Sequence, residues 1–159
     1  MQVLHNHSAR ILYHLTEHDY GKEAYWYPKE NGIHRTEIEP KVPRICFSLS
    51  ITGCFLALGH IATYYSGWHL YTTLGEYYTP ASSEIIDASI SQEVWRLQPT
   101  LIKKKYSFSN EEMLMIKNHL YFTAGNENSI KYQLKFKPRI NKIVREIFDD
   151  QTQTQFIRA

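Results

Sequence analysis

Three short segments of the 159-residue chain carry side chains able to do chemistry. LYHLT holds His14 and Thr16. An imidazole beside a hydroxyl at the end of an apolar run suits holding a ribose or another polar substrate, and suits an outward position on an edge strand equally well. RICFSLS holds Phe47, Ser48 and Ser50 just ahead of an apolar helical pattern. Serines there are favoured helix N-caps, and the N–H groups and dipole of a helix start also favour anions such as phosphates. SQEVWRLQP holds Glu93, a carboxylate that either steadies a cationic transition state or faces solvent. Tyr25 and Trp26 are aromatics in an otherwise polar stretch, which suits an ordered loop that covers something.

Other chemistries find less support. There is no phosphate-binding glycine loop, no HExxH, no GxSxG and no EF-hand pattern. His5, His7, His14, His18 and His34 include an HxH, but no carboxylate joins it at ligand spacing, so no metal site is expected. Cys46 and Cys54 match neither a zinc pattern nor a disulfide scaffold and read as reduced, largely buried thiols. The net charge of +2 gives no global field for nucleic acid. Lys103, Lys104 and Lys105, with Lys131, Lys135, Lys137 and Arg139, form either one positive face for a nucleic acid or acidic protein, or a solvated sheet surface.

The elements that must position these residues follow from periodicity. Arg10–Leu15 reads as a strand, and Thr16–Pro43 as a long irregular segment. Arg44–Phe47 is a short central strand. Ser48 or Ser50 then caps a helix whose stripe is Ile51, Cys54, Phe55, Leu58 and Ile61, ending near Tyr65. Trp68–Thr73 alternates as a strand, Tyr77–Pro80 is a turn and Glu84–Ala88 a short strand. Glu93–Leu97 and Leu101–Phe108 are strands expected to pair as a hairpin across Gln98–Thr100. Ser109 with Glu112 makes a capping box for a helix to about Tyr121 with Met113, Ile116, Leu120 and Tyr121 inward. Gly125, Asn126 and Asn128 mark a turn, Ile130–Phe136 alternates as a strand, and Pro138 opens a final helix with Ile140, Ile143, Val144, Ile147 and Phe148 on one face.

Without regular βα alternation this predicts one α+β domain over residues 1–159: a split, mixed or antiparallel β core flanked by about three helices. The core spans 10–108, a helix-strand-helix extension 109–148, and a frayed tail 149–159. A hydrophobic share of 43% and an aromatic share of 14% exclude a disordered chain. The first residues hold no apolar run, so no signal peptide is expected, and the interrupted stretch Ile51–Ile61 is too short for a bilayer. No membrane and a cytoplasmic setting are therefore expected.

The order of these segments resembles the ADP-ribosyltransferase superfamily, whose NAD-binding signature is spread over three strands. LYHLT supplies the histidine strand, RICFSLS the strand with an aromatic or serine before a helix, and EVWRLQP with the following LIKKKYSF the glutamate and closing strands. The layout also resembles small phage and bacterial proteins with LYHLT, PRICFS and a later glutamate before a tryptophan. The resemblance covers about Arg10–Phe108. Two positions depart from the family pattern: Leu15 follows the histidine where glycine is usual, and Phe47 or Ser48 replaces the usual tyrosine. What the resemblance implies is transfer of ADP-ribose from NAD to a protein or nucleic acid acceptor. Glu93 would be catalytic, and His14, Thr16, Phe47, Ser48 and Ser50 would bind the dinucleotide, with Tyr25 or Trp26 over the nicotinamide. Two rival expectations stand beside it: a non-enzymatic inhibitor from a mobile element that blocks a host protein, and a protein that sequesters a nucleotide.

Overall fold

The two longest strands, at His5–Thr16 and His69–Thr79, pair with each other. A computed structural model describes residues 4–29, 42–58, 67–79, 91–118, 135 and 137–149. It contains β1 (His5–Thr16), β2 (Glu23–Trp26), β3 (Ile45–Ser48), helix α1 (Ile51–Leu58), β4 (His69–Thr79), β5 (Glu93–Arg96), β6 (Thr100–Ser107) and helix α2 (Asn110–Lys117). A further helix, α3, covers 137–149. The fold is α+β with an antiparallel sheet.

All six strands join one sheet in the order β1-β3-β5-β4-β6-β2. β1 also pairs with β4 from His5↔Thr79 to Thr16↔His69. That ladder occupies one edge of β4 along its length. Hence β6, at His69–Thr72, and β5, at Tyr78, lie end to end along its other edge. Strands β1, β3, β5 and β4 thus form a closed ring, in place of the separated halves of a split core.

Sheet pleat sorts the side chains into two clusters. On the inner face Leu12, Phe47, Tyr71, Val94 and Ile102 pack together, with Trp26 partly buried against them. On the outer face Leu15 and Leu70 meet Phe55 of α1, Ile116 of α2 and Ile140 of α3. Burial of each such side chain contributes roughly 1.5–3 kcal/mol.

Several expected elements stand corrected. The N-terminal residues are strand from His5 onward, because the second half of β4 needs a partner. The His7 ring stacks on Tyr77 at 4.8 Å, and its Nε2 lies 2.9 Å from the Thr79 hydroxyl. Tyr77, Tyr78 and Thr79, expected as a turn, extend β4 for the same reason. Part of the expected loop, Glu23–Trp26, is edge strand β2, paired to β6. β5 and β6 do not form a hairpin. Arg96 Nε donates to Thr100 Oγ1 (3.1 Å) and the Thr100 hydroxyl donates to the Gln98 carbonyl (2.8 Å), so the connection passes the chain along β4 and does not fold it back. Lys135 is helical where a strand was expected.

The helices begin as their caps dictate. Ser109 Oγ accepts from Glu112 N (3.1 Å) and the Glu112 carboxylate accepts from Ser109 N (2.8 Å). Met113 and Ile116 face inward as expected. α1 is buried over Thr52–Leu56 and so is enclosed, not one-sided. The expected strand Glu84–Ala88, the turn at Gly125–Asn128, Leu120, Tyr121, and the tail beyond Asp149 lie outside the described residues.

Candidate functional site

The three motif-bearing strands are consecutive neighbours, β1 beside β3 beside β5. Register sets which of their side chains share a face. Tyr13 is opposite Ser48, and Ser48 is opposite Glu93, which makes one row across three strands. Directly opposed residues in antiparallel strands have Cβ atoms about 4.5–5.5 Å apart. Phe47 is opposite Val94 on the other face, and the His14 ring lies there too, 6.0 Å from Phe47 and 4.5 Å from Trp26. The sequence-expected residues thus fall into two groups separated by the sheet: Ser48 with Glu93, and His14 with Phe47 and Trp26.

The Glu93 group is tied down from both sides. The Ser48 hydroxyl, buried, donates to the Ser91 carbonyl (2.6 Å) and accepts from Ser50 N (3.2 Å). The Ser50 hydroxyl accepts from Gly53 N (2.9 Å), which makes it the N-cap of α1, and donates to Gln92 Oε1 (2.6 Å). Gln92, next to Glu93, is the only non-glycine among the described residues with positive φ, at 55°. A left-handed conformation at such a residue costs on the order of 1–3 kcal/mol and persists only where its surroundings hold it. Here the Ser50 bond and the Leu49 N–H to the Gln92 carbonyl (3.3 Å) do so. Gly53 lets α1 approach closely: a Cβ there would run into Ser48 Oγ and the Ser91 carbonyl.

Cys46 stands on the same face as Glu93, and Arg44 packs its guanidinium over Trp95 at 4.4 Å. Burial, and then the nearby Glu93 carboxylate, push the Cys46 thiol up to about 12, while Arg44 opposes them. Burial pushes Cys54 up to about 12 as well. Both cysteines are free thiols and, at neutral pH, protonated.

On the inner face, His14 Nδ1 lies 2.7 Å from the Cys46 carbonyl. A carbonyl only accepts, so Nδ1 carries the proton and Nε2 is the imidazole's acceptor. Desolvation lowers the His14 pKa, so the ring is neutral at neutral pH. Tyr20 and Tyr71 complete the aromatic group around Trp26, at 5.1 and 6.0 Å. The Tyr71 hydroxyl anchors the loop before β2, accepting from Tyr20 N (2.8 Å) and donating to the Gly21 carbonyl (2.9 Å). Trp26 Nε1 is buried with no hydrogen-bond partner among the described residues.

Thr16 Oγ1 accepts from His18 N and closes a local turn. Tyr25 points away from Trp26 and is 64% exposed, opposite Leu101 on the outer face. Sequence reasoning passed over Tyr13 and Gln92. Tyr13 reads as strand filler until the register sets it against Ser48, and no composition signal announces a left-handed glutamine.

Among the described residues there is no cluster of three or more metal-ligating side chains, and no helix is long and apolar enough to cross a membrane. Comparison with protein-family models, with curated proteins and with solved structures found no match.

Proposed function

We propose that the chain is an ADP-ribosyltransferase-like protein that moves ADP-ribose from NAD to a macromolecular acceptor. The observation that carries this reading is the adjacency of β1, β3 and β5, with Ser48 directly opposite Glu93. In the reaction an acceptor nucleophile forms a bond to the ribose C1′ of NAD. The bond from C1′ to the nicotinamide nitrogen breaks, and nicotinamide leaves with the electron pair. Glu93 stabilises the oxocarbenium character of the transition state and takes the nucleophile's proton. Ser48, Ser50 and Gln92 position that carboxylate. Its test is nicotinamide release from NAD by the purified chain beside Glu93→Gln: release lost in the variant, with the fold kept, supports transfer.

A specific observation favours a second reading, binding without turnover. His14 and Glu93 stand on opposite faces, and the Ser48 hydroxyl is already engaged with Ser91 and Ser50. A chain that binds NAD or another nucleotide, or a host protein, and releases no nicotinamide would be a sequestering or blocking protein.

A further inference from the structure

Among the described residues, helices cover the outer face of the sheet around Leu15, Leu70 and the Ser48 end of β3, and leave Ile11 and Leu74 exposed. Ile11 and Leu74 are direct cross-strand partners, yet they are 49% and 71% exposed. They line a groove of about 520 Å³ together with Leu101, Lys103, Lys105 and Arg96. Tyr25, opposite Leu101, stands exposed beside it. Solvent-facing sheet positions are ordinarily polar, so an adjacent pair of exposed aliphatics with aliphatic Leu101 marks an interaction surface.

Charge decides the occupant. Lys103 and Lys105 are exposed, and Arg96 joins them in the lining. The acids nearby are exposed Glu76, two residues from Leu74 on β4, and Glu23, which lies 3.8 Å from Lys103 with both side chains more than half exposed. Such a surface pair is weak and easily exchanged for a partner's carboxylate. The lining mixes Ile11, Leu74, Leu101 and Pro99 with Thr72, Thr73 and Thr100 and holds no aromatic ring, and Tyr25 beside it is a single ring where successive bases would need several. The lining suits leucine-like side chains, while the lysines suit carboxylates beside them.

We propose that this groove docks an acidic, leucine-containing peptide segment of a partner protein. The surface is separate from the Ser48–Glu93 row, so the proposal stands or falls independently of NAD chemistry.

The test is fluorescence anisotropy of the full chain with a short labelled peptide of alternating aspartate and leucine. Binding is expected, weakening with added salt. Leu74→Glu and, separately, the double variant Lys103→Glu/Lys105→Glu should each weaken it by about tenfold or more. Leu114→Glu, at an exposed position of α2, should leave it unchanged, and circular dichroism should show each variant folded. The proposal is overturned if the peptide does not bind, if Leu74→Glu binds it as the parent does, or if an oligothymidylate of similar charge binds more tightly. A dimer in solution that Leu74→Glu dissociates would also overturn it, since the groove would then belong to a second copy.

Discussion

Ser48 in β3 and Glu93 in β5 face each other across one antiparallel pair, and the residue before Glu93 is held in a left-handed backbone by the N-cap of α1. The Glu93 carboxylate thus follows a strained backbone that the Ser50 hydroxyl steadies.

If that carboxylate carries the chemistry, Glu93→Gln should lower nicotinamide release by about a hundredfold or more, the scale of a lost electrostatic stabiliser. The exchange keeps size and removes charge. Unchanged release in a folded variant would remove Glu93 from the reaction.

Packing around the row is tight. Gly53→Ala gains roughly 1 kcal/mol of helix propensity. The added Cβ meets a backbone carbonyl that cannot yield, and overpacking of this kind costs about 1–3 kcal/mol. A net loss of stability is expected, read as a lower denaturant midpoint. Ser48→Ala should cost about 1–2 kcal/mol through a buried hydrogen bond. A neutral Gly53→Ala would mean that α1 sits further from Ser91 than described.

Acid should destabilise the fold through His14. Its folded pKa lies below the unfolded value of 6.5, so the unfolded chain takes up the proton first. The stability His14 contributes is complete above that value and is lost as pH falls below it toward the folded pKa. His14→Gln should shrink the drop in denaturant midpoint between about pH 8 and about pH 5. An identical drop in the variant would assign the acid sensitivity to other groups.

Both thiols should be unreactive while the chain is folded. With pKa values pushed from 9.0 to about 12, Cys46 and Cys54 hold almost no thiolate at about pH 8. A thiol reagent should label them only after denaturant is added. The sign also predicts falling stability above pH 9, where the unfolded chain ionises first. Rapid labelling of the native chain would refute the shielding of whichever sulfur reacts, half-buried Cys46 or buried Cys54.

Local signals in the sequence reached local structure and stopped there. Ser109 and Glu112 announced α2 because a capping box needs only four residues. Ile140, Ile143, Val144 and Ile147 announced the buried stripe of α3 by spacing alone. The strands containing His14, Phe47 and Glu93 were readable for the same reason. Their partners were not. Nothing near β5 signals that β5 and β6 will follow one another along a single edge of β4, since the decision lies with the long ladder to β1. The split of the candidate site followed from that. His14 and Glu93 were grouped by sequence order, whereas the pleat sorts them by register, and register is a tertiary property.

That same ladder governs the order of assembly. β1 is made well before its main partner, residues 69–79, which follows β2, β3 and α1. Contacts of such long sequence separation require loop closure before they return any free energy, which places folding in the slow, millisecond-to-second regime. Until residues 69–79 have been made, the edge of the His14 strand that they occupy has no partner in place, so this ladder completes late.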